Sequence, residues 1–199
     1  MRTRSKLVLA GLGATLLMAL AVGSASARNF SISNQSFRAT FNNLEFVLEG
    51  LSTTTCHVTL EGSLHERTIP KTPGTLIGYI TRVATGNCNP NQVTILTERL
   101  PWHVSYEGFS GRLPDITLIL IRAESFFRVS NCLARGPVDA RFSRDPRTGH
   151  IVLTSFAAQN VSITNFEFRC PFTTAVFQSN GNGSVFQLNS TTRVSLTLI

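Results

Sequence analysis

Across residues 53–61 the side chains alternate without a slip. Thr54, Cys56, Val58 and Leu60 fall on one parity, and Thr53, Thr55, His57, Thr59 and Glu61 on the other. Successive side chains of an extended strand point to opposite faces, whereas a helix would repeat its apolar positions about every 3.6 residues. The segment therefore reads as a half-buried strand with Cys56 facing the core. The same period returns in Phe37, Ala39 and Phe41, and again in Leu44, Phe46 and Leu48. Turn signals separate such runs: Pro70-Lys71-Thr72-Pro73-Gly74, Asp145-Pro146-Arg147-Thr148-Gly149, and Ser179-Asn180-Gly181-Asn182-Gly183. Pro excludes the interior of helices and central strands, and Asn-Gly suits the left-handed positions of a tight hairpin. No segment after residue 27 has a convincing helical pattern. An all-β domain is expected, an antiparallel β-sandwich of about ten to twelve short strands, with a closed β-barrel as the alternative.

The first 27 residues do not belong to that domain. Arg2, Arg4 and Lys6 precede an apolar run over residues 7–22, and Gly23-Ser24-Ala25-Ser26-Ala27 closes it with small residues in an Ala-x-Ala pattern. This is the form of a secretory signal peptide cut before Arg28. Residues 28–199 are then one disulfide-stapled domain, a length that buries roughly 70% of its unfolded surface on folding. No later run is apolar for the roughly 20 residues that a membrane helix needs, so no transmembrane segment is expected after the leader. The expected location is secreted, extracellular or in the cell envelope.

All four cysteines, Cys56, Cys88, Cys132 and Cys170, lie in the exported part. An even count in an oxidising compartment argues for two disulfides. Pairing Cys56 with Cys88 and Cys132 with Cys170 closes one loop in each half of the chain and is the expected connectivity; Cys56 with Cys170 is the rival. The absence of any C-x-x-C spacing argues against a metal site, and no cofactor is indicated.

Charge excludes more than it assigns. The formal charge is +7, but three of the 18 basic residues sit in the leader, which leaves 15 against 11 acids, or +4. Charged residues are 15% of the chain, against about 25% in typical proteins. Ser, Thr, Asn and Gln must therefore cover much of the surface. Arg135, Arg141, Arg144 and Arg147 gather near one hairpin, but Asp139 and Asp145 offset half of them. Nucleic-acid binding needs a denser basic stripe and is not expected.

The stretch over residues 92–122 concentrates the rare residues, with the only Trp, Trp102, beside His103, Tyr106 and Glu107. These four are the candidate ligand-binding set, since aromatic faces with polar tips suit a wet site for sugars or similar ligands. The competing reading packs Trp102 in the core, because Trp is highly buried on average. Parity separates the four in either case: Trp102 and Tyr106 share one face, His103 and Glu107 the other. Arg99-Leu100-Pro101 and Arg112-Leu113-Pro114 read as corners flanking a short strand, and residues 117–122 as a strand buried on both faces.

Catalytic motifs fail one by one. Gly108-Phe109-Ser110-Gly111-Arg112 lacks the final Gly of a nucleophile elbow. His57, Glu61 and His65 share a parity, but neighbouring members of a straight strand would stand about 13 Å apart, too far to share a metal. The leading expectation is a non-catalytic exported domain with a binding or structural role, whose partner would be an extracellular glycan or an envelope component. The alternatives are a carbohydrate-active hydrolase using two of Glu61, Glu98, Glu107 and Asp115, and a barrel for a small apolar ligand suggested by the 14 Phe.

Overall fold

The structure is a computed structural model that describes residues 29–48, 53–112, 115–129, 132–145, 151–164, 170, 174–179 and 183–199. The leader, the 146–150 turn, residues 165–169 and the Asn-Gly turn at 180–182 lie outside the described residues.

The alternation that opens the argument carries through to burial. Strand β3, Thr54–Leu64, alternates buried and half-buried positions over its whole length, with Cys56, Val58 and Leu60 all in the core. Around it the chain runs in order as β1 (Phe30–Ile32), β2 (Ser36–Leu48), β3, β4 (Thr68–Ile69), β5 (Leu76–Asn89), β6 (Val93–Ile95), β7 (Trp102–Arg112), β8 (Asp115–Val129), β9 (Cys132–Arg144), β10 (Ile151–Thr164), β11 (Thr174–Ser179), β12 (Ser184–Gln187) and β13 (Leu196–Leu198). A single 3₁₀ turn, Thr97–Arg99, is the only helical element among the described residues. No helix there is long and apolar enough to cross a membrane.

The strands form two antiparallel sheets. The larger follows the order β11-β10-β9-β8-β7-β5-β3-β2-β12, with β6 alongside β8, and the smaller is β13-β1-β4. Strand β11 pairs with β10 and also with residues 44–48 of β2. The small sheet packs onto the inner surface, so the architecture is the expected two-sheet packing and not a lone closed barrel. Phe30 and Ile69 from the small sheet join Phe41, Leu60, Trp102, Tyr106, Ile119 and Phe127 from the large one in a single core. Each such side chain contributes roughly 1.5–3 kcal/mol by leaving water.

Both disulfides join the expected partners, Cys56 to Cys88 and Cys132 to Cys170. Each pins segments distant in sequence, by 32 and 38 residues respectively.

Several local expectations are corrected. The Gly-Asn-rich segment around Cys88, whose composition suits a loop, is the end of β5, because β3 keeps pairing with it as far as Thr55 opposite Asn89. A register shift and the left-handed Asn87 (φ 49°) absorb the turn-prone residues without ending the strand. Residues 117–122 belong to one longer strand, β8, which continues to Val129. Its faces are unequal: Ile119 and Ile121 are buried, while Leu118, Leu120 and Arg122 are only partly so. The segment through Trp102 is not a short strand between two corners; it runs eleven residues to Arg112. The described residues form thirteen strands against the expected ten to twelve; β1 and β4, of three and two residues, are too short to leave a periodic signal.

Candidate functional site

The site is built by three adjacent strands, β7, β8 and β9. Antiparallel register sets Ser105 opposite Arg122 and Arg122 opposite Asp139, so these three form one row across the outer face. One pair along, Val104 stands opposite Ala123 and Ala123 opposite Val138 on the inner face, and the next outer row brings His103 beside Glu124. A β-bulge lies between Tyr106 and Gly108. It leaves Glu107 as the extra residue, and bulges of this kind redirect side chains. Glu107 accepts a hydrogen bond from Ser105 Oγ at 3.0 Å and meets Arg122 at 3.5 Å.

Arg122 is the centre of the site. Its Nε donates to Asp139 Oδ1 at 2.9 Å while Nη1 reaches Glu107 Oε2. The hydrogen bond to Asp139 pushes the guanidinium further up from its already high ordinary value, against the opposing effect of burial. With two carboxylates holding it, the planar fork is fixed in orientation, yet the side chain is still 43% exposed. His103 Nδ1 lies 3.8 Å from Glu124 Oε2. Behind it, His65, just past the end of β3, Tyr79 of β5 and His103 of β7 make a run of rings, with centroids 4.9 and 5.4 Å apart and successive rings tilted by 56° and 59°.

Beside these residues a groove of about 540 Å³ runs over the outer face. His103, Ser105, Arg122, Glu124 and Arg135 supply polar groups, while Leu76, Phe126 and Pro137 form apolar walls. Gly74 and Gly136 bring bare backbone to the rim. Arg135 makes no ion pair among the described residues.

The structure divides the four expected ligand contacts along the line that parity draws. Trp102 (3% exposed) and Tyr106 (1%) belong to the core. His103 lines the groove, and Glu107 reaches it through Arg122. Among the described residues neither the Trp102 Nε1 nor the Tyr106 hydroxyl meets a hydrogen-bond partner, and burial pushes the Tyr106 phenol up from its ordinary value. Nothing in the sequence singles out Arg122 or Glu124, and Arg135 and Asp139 stand out there only as part of the mixed charges near the 145–149 hairpin. Only the register of three strands brings them together, and no spacing within one segment signals it.

The carboxylates proposed for a hydrolase are dispersed. Glu61 is held by Arg38 at 2.7 Å and Arg82 at 3.4 Å on β3. Glu98 sits in the exposed 3₁₀ turn, Glu107 is engaged by Arg122, and the Asp115 side chain is not among those described. A second, wholly apolar cavity lies inside the fold between the two sheets, lined among others by Phe37, Phe41, Val104, Phe142 and Leu196. Its volume is about 80 Å³. Among the described residues, no group of three His, Cys, Asp or Glu side chains stands close enough to hold a metal ion. No protein-family model, no curated protein and no solved structure matches this chain.

Proposed function

We propose that this chain is an exported, non-catalytic binding domain that takes its ligand in the outer groove over β7, β8 and β9. The observation that carries this reading is the groove itself: about 540 Å³, with convergent polar groups set between apolar walls. That combination is what small-ligand sites present. Arg122 is held by Asp139 and Glu107 before any ligand arrives, and such preorganisation lowers the entropic cost of binding. The leader pattern, the two disulfides and the sparse surface charge support export.

The alternatives have less behind them. An apolar ligand would have to fit about 80 Å³, roughly half the engineered cavity of about 150 Å³ that admits benzene. For hydrolysis, two carboxyls should face one another across a substrate about 5–10 Å apart, whereas Glu107 and Asp139 are both engaged by one guanidinium.

The test is residue-resolved NMR of the exported chain, titrated with a library of small polar and apolar compounds. Shifts clustering at His103, Arg122, Glu124 and Arg135 are expected. Shifts confined to Phe37, Phe41 and Val104 would move the site into the interior and refute the groove. Release of new reducing ends from soluble polysaccharides would refute the non-catalytic assignment.

A further inference from the structure

The charges around the groove narrow its ligand. Arg122, Arg135 and Glu124 line the groove, while Glu107 and Asp139, outside its lining, offset the Arg122 guanidinium, so these five charged side chains sum to −1. Arg122 is already matched twice. An anionic ligand would gain at Arg135 and lose at Glu124, and it would find Arg122 already offset by Glu107 and Asp139. A cationic ligand would have to compete with Arg122 for Glu107 and Asp139, and would meet Arg135. A neutral molecule with many hydroxyls suffers neither loss, since each hydroxyl both donates and accepts. It can take hydrogen bonds from Arg122 and give them to Glu124 or Ser105. Bonds to charged partners are the stronger kind.

Ring faces complete the picture. His103 lines the groove and its ring stands 5.4 Å from Tyr79, whose other neighbour is His65 at 4.9 Å. The apolar patches of a sugar ring pack against such faces, and the tilts near 60° form steps instead of one flat platform. Leu76 and Phe126 supply the opposing apolar walls.

We infer that the groove binds a neutral oligosaccharide, with Arg122, oriented by Asp139 and Glu107, donating to ring hydroxyls and with His103, backed by the Tyr79 ring, packing against a sugar face. This rests on the groove being the binding site, and it adds the chemical class and the residue roles. Arg122 acts as a fork and not merely as a charge, so Arg122→Lys, which keeps the charge, loses the paired donors.

The experiment is calorimetric titration of the exported chain with cello-oligosaccharides, chito-oligosaccharides and oligogalacturonate at low and high salt. Binding of one of the two neutral series is expected, with an affinity nearly independent of salt because no net charge is matched. Arg122→Lys and Tyr79→Ala should each weaken it roughly tenfold or more, the range of a lost charged hydrogen bond or stacking face. His103→Ala, at an exposed position, leaves the fold intact and serves where Arg122→Lys does not fold. Binding of oligogalacturonate alone, falling steeply with salt, would overturn the neutral class and leave the groove standing. Neutral-sugar binding unchanged in both Arg122→Lys and His103→Ala would place the sugar elsewhere and overturn the groove as well. Binding of none of the three series overturns the inference, and the NMR titration then decides the groove separately.

Discussion

Gly62 sits where three strands meet, opposite Phe37 of β2 and Ile80 of β5. A Cβ built there would collide with the carbonyl oxygen of Tyr79, stand 2.9 Å from Phe37 Cζ and 3.1 Å from Ile80 Cα. Phe37 can turn a little. The other two are backbone, and they can yield only if β3 and β5 separate. Overpacking in a well-filled core typically costs about 1–3 kcal/mol, and collision with backbone on a central strand puts Gly62→Ala at about 3 kcal/mol. For a domain of this size each kcal/mol lowers Tm by roughly 2–4 °C, so a fall of about 10 °C is expected. Gly86, on β5, is the control because nothing lies within 4 Å of its added Cβ. Alanine there restricts the unfolded chain without a clash, so Gly86→Ala should match or exceed the parent, by up to about 1 kcal/mol. Differential scanning calorimetry of the two variants gives the comparison. Equal Tm values for Gly62→Ala and the parent would refute the close approach of β3 and β5. Because Tyr79 contributes that carbonyl, Gly62→Ala should also disturb the His65, Tyr79 and His103 run and weaken ligand binding.

Removing the Cys56–Cys88 bridge as Cys56→Ala/Cys88→Ala frees a loop that spans 32 residues. The chain-entropy relation gives about 3.7 kcal/mol at 25 °C, readable as a lower urea midpoint; a loss under about 1 kcal/mol would mean that the bridge constrains little. Tyr106→Phe deletes a buried hydroxyl that has no partner, so it should leave stability at neutral pH unchanged or raise it by about 1 kcal/mol. The same residue sets an alkaline limit. Burial raises the folded phenol above the unfolded value of about 10, so the folded state holds its proton longer, and stability falls as pH rises through and beyond about 10. Denaturant midpoints between about pH 9 and 11 should therefore decline less steeply in Tyr106→Phe than in the parent, and identical slopes would refute the assignment.

Alternation in residues 53–61 is enough to make β3 a half-buried strand with Cys56 facing inward, because the two faces of a strand meet different solvents and each residue records its own. The same local rule sets Trp102 and Tyr106 apart from His103 and Glu107, and the core burial of the first pair follows it. An even number of cysteines, two in each half of the chain, pointed to both bridges. Loop signals were less dependable. Gly86, Asn87 and Pro90 look like a turn, yet pairing with β3 holds the segment extended through Asn89. Only the tertiary structure decided where the groove lies. Arg122 meets Asp139, Glu107 and Ser105 because β7, β8 and β9 are neighbours in a particular register, and a one-residue slip would turn every one of those side chains to the other face. Register couples residues that are many positions apart, and the period of any single segment carries no trace of it.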